Sequence, residues 1–343
     1  MQLDEASLRQ HLSAADQALA EALAASNHEG AARARGRRAA VLTLLDRDDD
    51  ARGALTEALA EAQQHGLAEQ ERELRFMLGA LATIAAPQEP AARTSAFAHW
   101  RQALKLAQAS GDDALALRLH VQLAQLEARN GRPRDALKHL NAAAPLCPAD
   151  DAERRYQLHR QRAALLATQG QGAAAREASA QALAAAEAHS PVLGLRARIE
   201  HRLFDPEGDL LALAAEAEAL GATDLHGQAH MLQAQEAFAA GRFEEAAASA
   251  QLARRDALEV PDPILYTVAC ILIAGCRERQ GDRVGVLAIL LTALQSIEKR
   301  FGAGSGQPIV AVLDGLTQRW GPDEMTRARQ AYRAWIARNP PPG

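Results

Sequence analysis

Large aromatic side chains are scarce in this 343-residue chain: Phe, Tyr and Trp together supply 3% of it. β-Branched residues are sparse too, and cluster in short runs around Ile264–Ile273 and Ile309–Val312. That shortage argues against sheets, whose pleated surfaces are filled by such side chains. Cysteine occurs three times, as Cys147, Cys270 and Cys276. The odd count and the absence of metal-ligand spacing suit a reducing compartment. No long apolar run is present. The longest, Ile264 to Ala274, is about half the ~20 residues a membrane span needs, and Tyr266 and Thr267 interrupt it. The first twelve residues carry Asp4, Glu5, Arg9 and His11 with no apolar stretch, so no signal peptide is read there. The expected location is cytoplasmic, with no membrane insertion. An excess of basic charge is missing as well. The net charge is −5, which argues against nucleic acid as a partner, because phosphate binding favours a basic surface.

Alanine fills the space left by these absences. It is the best intrinsic helix former, and its small side chain lets helices approach closely. With 48% hydrophobic and 24% charged residues, the composition is that of a globular, all-α chain. A prior of roughly 150 residues per domain suggests two domains, but an architecture of stacked repeats grows without any single core.

One segment has the form of a repeat. It runs Leu123-Ala124, Glu127, Gly131-Arg132, Ala136-Leu137, Leu140, Ala143 and Pro148. A first helix ends at Gly131, which supplies a permissive cap. Pro133 suits the first turn of the next helix. That helix packs back through Ala136, Leu140 and Ala143 on one face, and Pro148 stops it. The arrangement resembles the tetratricopeptide repeat: a Leu-small pair, a mid-turn glycine, and spaced small residues on the second helix. Further copies are Gly241-Arg242-Phe243 with Ala246, Ala250 and Ala253; Gly170 with Ala175, Ser179 and Ala182; and Gly281-Asp282 with Val286, Leu290 and Ala293. Two earlier second helices read Ala51, Leu55, Ala58 and Ala96, Trp100, Ala103, the latter preceded by Leu78-Gly79.

The first small residues form a ladder: Ala51, Ala96, Ala136, Ala175, Leu210, Ala246, Val286 and Thr326. The steps exceed the roughly 34 residues of a strict array, which predicts longer helices or linkers. The unit at Leu210 is degenerate: its turn glycine is missing, and Pro206 is expected to open its second helix. Pro87-Gln88-Glu89-Pro90 reads as a break between helices. The resemblance implies a right-handed α-solenoid, a superhelix of tetratricopeptide-like antiparallel helix pairs. The expected organisation is a capping helix in 1–29, about seven repeats in 30–300, a C-terminal helix pair in 301–338 (a degenerate repeat or cap) and a disordered tail in 339–343. The last helix should bury Met325, Ala328, Tyr332 and Trp335.

Catalytic patterns are absent along the chain, and the nearest matches fail on context. Gly302-Ala303-Gly304-Ser305-Gly306 follows a helix and lacks the Lys-Ser/Thr pair of a phosphate loop. His226 and His230 stand at i, i+4, a spacing that suits one metal ion, but no third ligand is identifiable. Asp48-Asp49-Asp50 is expected to cap a helix. No nucleophile-base pattern is visible, so no enzyme activity, cofactor or metal is expected.

In the family resembled, first helices line a groove that holds a partner. Carried over position by position from the small residue of each Leu-small pair, that groove takes in Arg118, Gln122, Gln125 and Arg129; Gln157, Arg160 and Gln161; and Gln228 and Gln235. Arg33 and Arg37 occupy like places in the first repeat. Arginine forks match carboxylates, and glutamine amides match peptide backbone. The groove therefore fits a protein or peptide partner with acidic groups or a free C-terminus. The lysines and asparagines of the family's known carboxylate groove have no counterparts here. The function expected is a non-catalytic interaction module: a scaffold, adaptor or chaperone. Two alternatives are a peptide-sensing regulatory protein and a self-assembling structural protein.

Overall fold

The structure, a computed structural model, describes residues 4–85, 89–302 and 304–338. Pro87, Gln88 and the tail 339–343, read above as a break and as disorder, lie outside the described residues. The described residues form α-helices joined by short turns, with no strand. The chain divides into two compact units, Met1–Ala182 and Leu183–Gly343.

In the first unit α1 (Glu5–Ala24) precedes four helix pairs. These are α2 (His28–Leu44) with α3 (Asp48–Gln64), α4 (Ala68–Ala85) with α5 (Pro90–Ser110), α6 (Asp113–Arg129) with α7 (Pro133–Ala143), and α8 (Ala152–Thr168) with α9 (Gly172–Glu187). Helix α9 carries the chain into the second unit. There follow α10 (Pro191–His201) and α11 (Leu210–Ala219), α12 (Thr223–Ala239) and α13 (Phe243–Glu259), α14 (Pro263–Arg279) and α15 (Arg283–Phe301), and α16 (Gln307–Trp320) and α17 (Pro322–Arg338).

Local chemistry sets the helix ends. Asp112, Asp151 and Asp262 accept hydrogen bonds from backbone amides in the first turns of α6, α8 and α14, satisfying donors that the helix leaves open. Gly131, Gly170, Gly241 and Gly281 end α6, α8, α12 and α14 at φ of 70° to 76°, where a Cβ is unfavourable. Between α2 and α3 that place falls to Asp46, at φ 56°. The acidic triplet that follows does not cap α3. Arg47 holds the cap position, and Asp48, Asp49 and Asp50 form the first turn, where their charge suits the helix dipole.

The ladder is the core. Ala51, Ala96, Ala136, Ala175, Leu210, Ala246 and Val286 lie buried on successive odd-numbered helices. Its last rung needs correcting: Thr326 is exposed, and Met325 and Ala328 are buried on α17. A fixed step of the ladder does not hold there, because α16 and α17 are joined by the single residue Gly321. Helix α11 also starts later than expected. It opens at Leu210 under the cap of Asp209, whose carboxylate accepts from the Leu211 amide at 2.9 Å. Pro206 lies in the preceding linker. In place of a tight glycine turn, α10 and α11 are tied by Arg198, which donates two hydrogen bonds to Glu216 at 2.6 and 2.7 Å. At the C-terminal end Ile309, Leu316, Met325 and Ala328 join one core with Val286 and Leu290, and Tyr332 packs against it. Trp335 instead stacks beside Tyr332 and stays 42% exposed.

Candidate binding face on the even-numbered helices

Within each unit the even-numbered helices also meet one another: α2 touches α4, α10 and α14 touch α12, and α14 touches α16. In the first unit their shared face holds two clefts. One, of about 290 Å³, lies between α2 and α4. Arg33 and Arg37 form its basic wall, Glu69 and Glu73 its acidic wall, and Leu74 and Met77 part of its floor. The other, of about 170 Å³, is built by α4, α6 and α8. Arg118, Gln122, Gln157 and Gln161 line it, over Leu117, Val121 and Leu158.

Arg118 joins the two clefts. Its guanidinium lies 4.2 Å from the centre of the Phe76 ring and 3.7 Å from Glu73. The ring attracts the cation and orients its plane. Phe76 is fixed through its backbone, because the Trp100 indole donates to its carbonyl at 3.0 Å.

Four of the expected groove residues therefore meet in one cleft. Gln125, half-buried, and Arg129, exposed, lie on α6 outside its lining. Arg160 is exposed on α8, its guanidinium 5.9 Å from the centre of the Tyr156 ring. Gln228 is half-buried and Gln235 exposed on α12 in the second unit. Phe76 and Arg154 also line the second cleft; Phe76 falls at a groove place by the same count from Gly79, whereas Arg154 falls outside the count.

The second unit also has a cleft on its even-helix face. A cleft of about 400 Å³ between α14 and α16 is lined by Ile271, Ala274, Gly275, Ala311 and Val312, with Glu278 and Arg319 at its side. Glu278 accepts from Trp320 Nε1 at 2.9 Å and pairs with Arg319 at 3.1 Å.

The paired histidines have internal partners. His226 Nδ1 donates to Asp256, which Arg255 also engages, and His226 Nε2 faces His230 Nε2 at 3.2 Å. His230 is 6% exposed, and burial pushes its pKa down. Both imidazoles thus direct Nε2 at each other. No group of three His, Cys, Asp or Glu that could hold a metal occurs among the described residues. None of the described helices is long and apolar enough to cross a membrane.

No protein-family model matches the sequence, and no curated protein matches it. Solved structures do share its fold. RapI in its apo form aligns at a TM-score of 0.54 and 13% identity, over 89% of this chain and 86% of that one. A signal transduction ATPase with numerous domains and a tetratricopeptide repeat sensor, from Pyrococcus horikoshii, aligns at 0.53 and 13% identity, over 91% of this chain. This chain spans 43% of that protein's length. The fold is that of the tetratricopeptide-like helical repeats.

Proposed function

We propose that this chain is a non-catalytic interaction module, a scaffold, adaptor or chaperone, that holds a segment of a partner protein on its even-helix face. The observation that carries the reading is the joint lining of one cleft by Arg118, Gln122, Gln157 and Gln161. Glutamine amides offer both a donor and an acceptor to an extended backbone. Arg118, already oriented on Phe76, offers its fork to a carboxylate. The apolar floor accepts one side chain of modest size. Gln125, Arg129 and Arg160 extend the polar surface along α6 and α8, and Gln228 and Gln235 offer a similar surface on α12. The partner chemistry is an acidic peptide or a free C-terminus.

The second reading is a peptide-sensing regulator. The repeat region of the Pyrococcus horikoshii ATPase is described as a sensor, and a face that binds peptides serves that role equally well. A self-assembling structural role is the third and has less support, since repeat folds host many functions.

The test is selection of peptides with free C-termini from a displayed library on the intact chain, followed by fluorescence anisotropy of the best binder. The Arg118→Ala/Gln157→Ala variant should weaken binding about tenfold or more, the effect of removing hydrogen bonds to a carboxylate and to a backbone. Unchanged affinity would remove those residues from the groove.

A further inference from the structure

We infer that the first unit carries a second ligand site, an oxyanion cleft for a phosphomonoester group, formed by Arg93, Arg101 and Arg132. The cleft measures about 400 Å³. It shares no lining residue with either cleft of the even-helix face, so its fate does not depend on the function proposed above.

Arg93, Phe97 and Arg101 line it from α5 at i, i+4 and i+8, one face of a helix. Asn130 and Arg132 close it from the turn between α6 and α7. Beneath lies Glu127, 2% exposed, paired with Arg101 and with Arg132 at 3.4 Å each. A buried carboxylate in that position draws two guanidinium groups toward each other, against their mutual repulsion. Both arginines remain largely open to solvent, at 62% and 58% exposure. Arg93 makes no ion pair or side-chain hydrogen bond among the described residues, and Glu89, at the cap of α5, pairs with none of the three arginines.

Charge selects the ligand class. Three guanidinium groups are set against the Glu127 carboxylate. Asp135 is cancelled by Lys138, which pairs with it at 2.8 Å and, ahead of Arg132, holds its carboxyl below the usual range, so two positive charges are left at the mouth. A carboxylate ligand would neutralise one of them. A phosphomonoester carries close to two negative charges at neutral pH, and its oxygens accept the paired N–H groups of arginine forks. Phe97 adds a second criterion. The Arg101 guanidinium lies over its ring, 5.2 Å from the centre, and this planar cation, held flat by Phe97, gives an aromatic ester group a face to stack on beside the ring edge. The site therefore favours aromatic phosphomonoesters over inorganic phosphate. Such a group can belong to a small molecule or to a phosphorylated tyrosine side chain.

The experiment is isothermal titration calorimetry of the intact chain with phenyl phosphate, inorganic phosphate and formate. Phenyl phosphate should bind saturably and more tightly than inorganic phosphate, and formate should not saturate. Affinity should rise several-fold from pH 5 to pH 7.5, as the second phosphate proton leaves near about pH 6. Arg93→Ala should weaken phenyl phosphate about tenfold or more, while Arg9→Ala, on α1, should leave it unchanged. If Arg93→Ala lowers the melting temperature, Arg93→Lys keeps the charge without the fork and should weaken binding by a smaller factor. Free phosphotyrosine and a phosphotyrosine peptide distinguish the sources: equal affinities point to a small molecule, tighter peptide binding to a modified protein. The inference is overturned if neither phosphate saturates, if formate binds as well, or if both Arg93 variants bind like the unaltered chain.

Discussion

The indole of Trp100 on α5 lies directly over Gly79 on α4. A Cβ at Gly79 would fall 2.8 Å from Trp100 Cε2 and closer still to Nε1. The same indole donates to the Phe76 carbonyl, and the Phe76 ring carries Arg118. One missing side chain thus admits the largest core residue of the unit, which in turn anchors an aromatic at the rim of the cleft.

Gly79→Ala should destabilise the chain despite the better helix propensity of alanine. The added methyl meets a ring with no room to retreat, since Trp100 is fully buried. Overpacking of this kind costs about 1–3 kcal/mol, against a propensity gain near 1 kcal/mol. A net loss in chemical denaturation checks it. A gain in stability would show that Trp100 moves freely.

Acid should destabilise the fold through its neutral histidines. His120 and His139 face each other across α6 and α7, Nδ1 to Nδ1 at 3.0 Å. One donates and the other accepts, an arrangement that needs the accepting ring neutral and is lost when both are protonated. Burial, then the neighbouring His139, pushes His120 down to about 4; burial, then Arg101, lowers His139. The unfolded chain therefore takes up protons first. The stability these histidines contribute is complete above about pH 6.5 and is lost as pH falls toward 4. Denaturant midpoints at pH 7.5, 6 and 5 should fall progressively, and His120→Gln should flatten the decline. An equally steep decline in the variant would place the pH response elsewhere.

Thiol chemistry should be slow throughout. Burial raises Cys270 to about 11 and lifts Cys276 and Cys147 as well. The thiolate is the reactive form. At pH 8 the folded chain should react slowly with Ellman's reagent, beginning at the half-buried Cys147, and three thiols should react fast after unfolding. Rapid modification of Cys270 or Cys276 in the folded chain would contradict this burial.

Much of the fold was legible because small residues repeat where helices cross. Ala136, Leu140 and Ala143 gave the face of α7, and all three are buried. The errors came where spacing changed. Pro206 suits a helix start because proline favours a first turn, yet Asp209 supplies the side-chain cap three residues on. Thr326 was reached by extending a step that the final pair does not keep. Gly227 lowers helix propensity within α12, yet a Cβ there would lie 3.2 Å from Asp256 Cβ; the glycine lets α13 come close. The site was less legible. Counting from the small residues of α6 and α8 reaches Arg118, Gln122, Gln157 and Gln161; the ring under Arg118 belongs to α4, the first helix of the pair before. The arginine cleft on α5 escaped because Arg93 and Arg132 are distant in sequence, and Arg132 enters the repeat only as the residue after the turn glycine.

The central claim is that partners dock on the even-helix face of the first unit. The most direct measurement is photo-crosslinking with benzoylphenylalanine placed at Gln122 or Gln157, and separately at Lys105 on α5 or Lys138 on α7, using the peptide selected on the intact chain. Gln122 and Gln157 line the cleft, whereas Lys105 and Lys138 are exposed on odd-numbered helices. The account predicts crosslinks from the first two positions and none from the others. Crosslinks from Lys105 or Lys138 alone would contradict it.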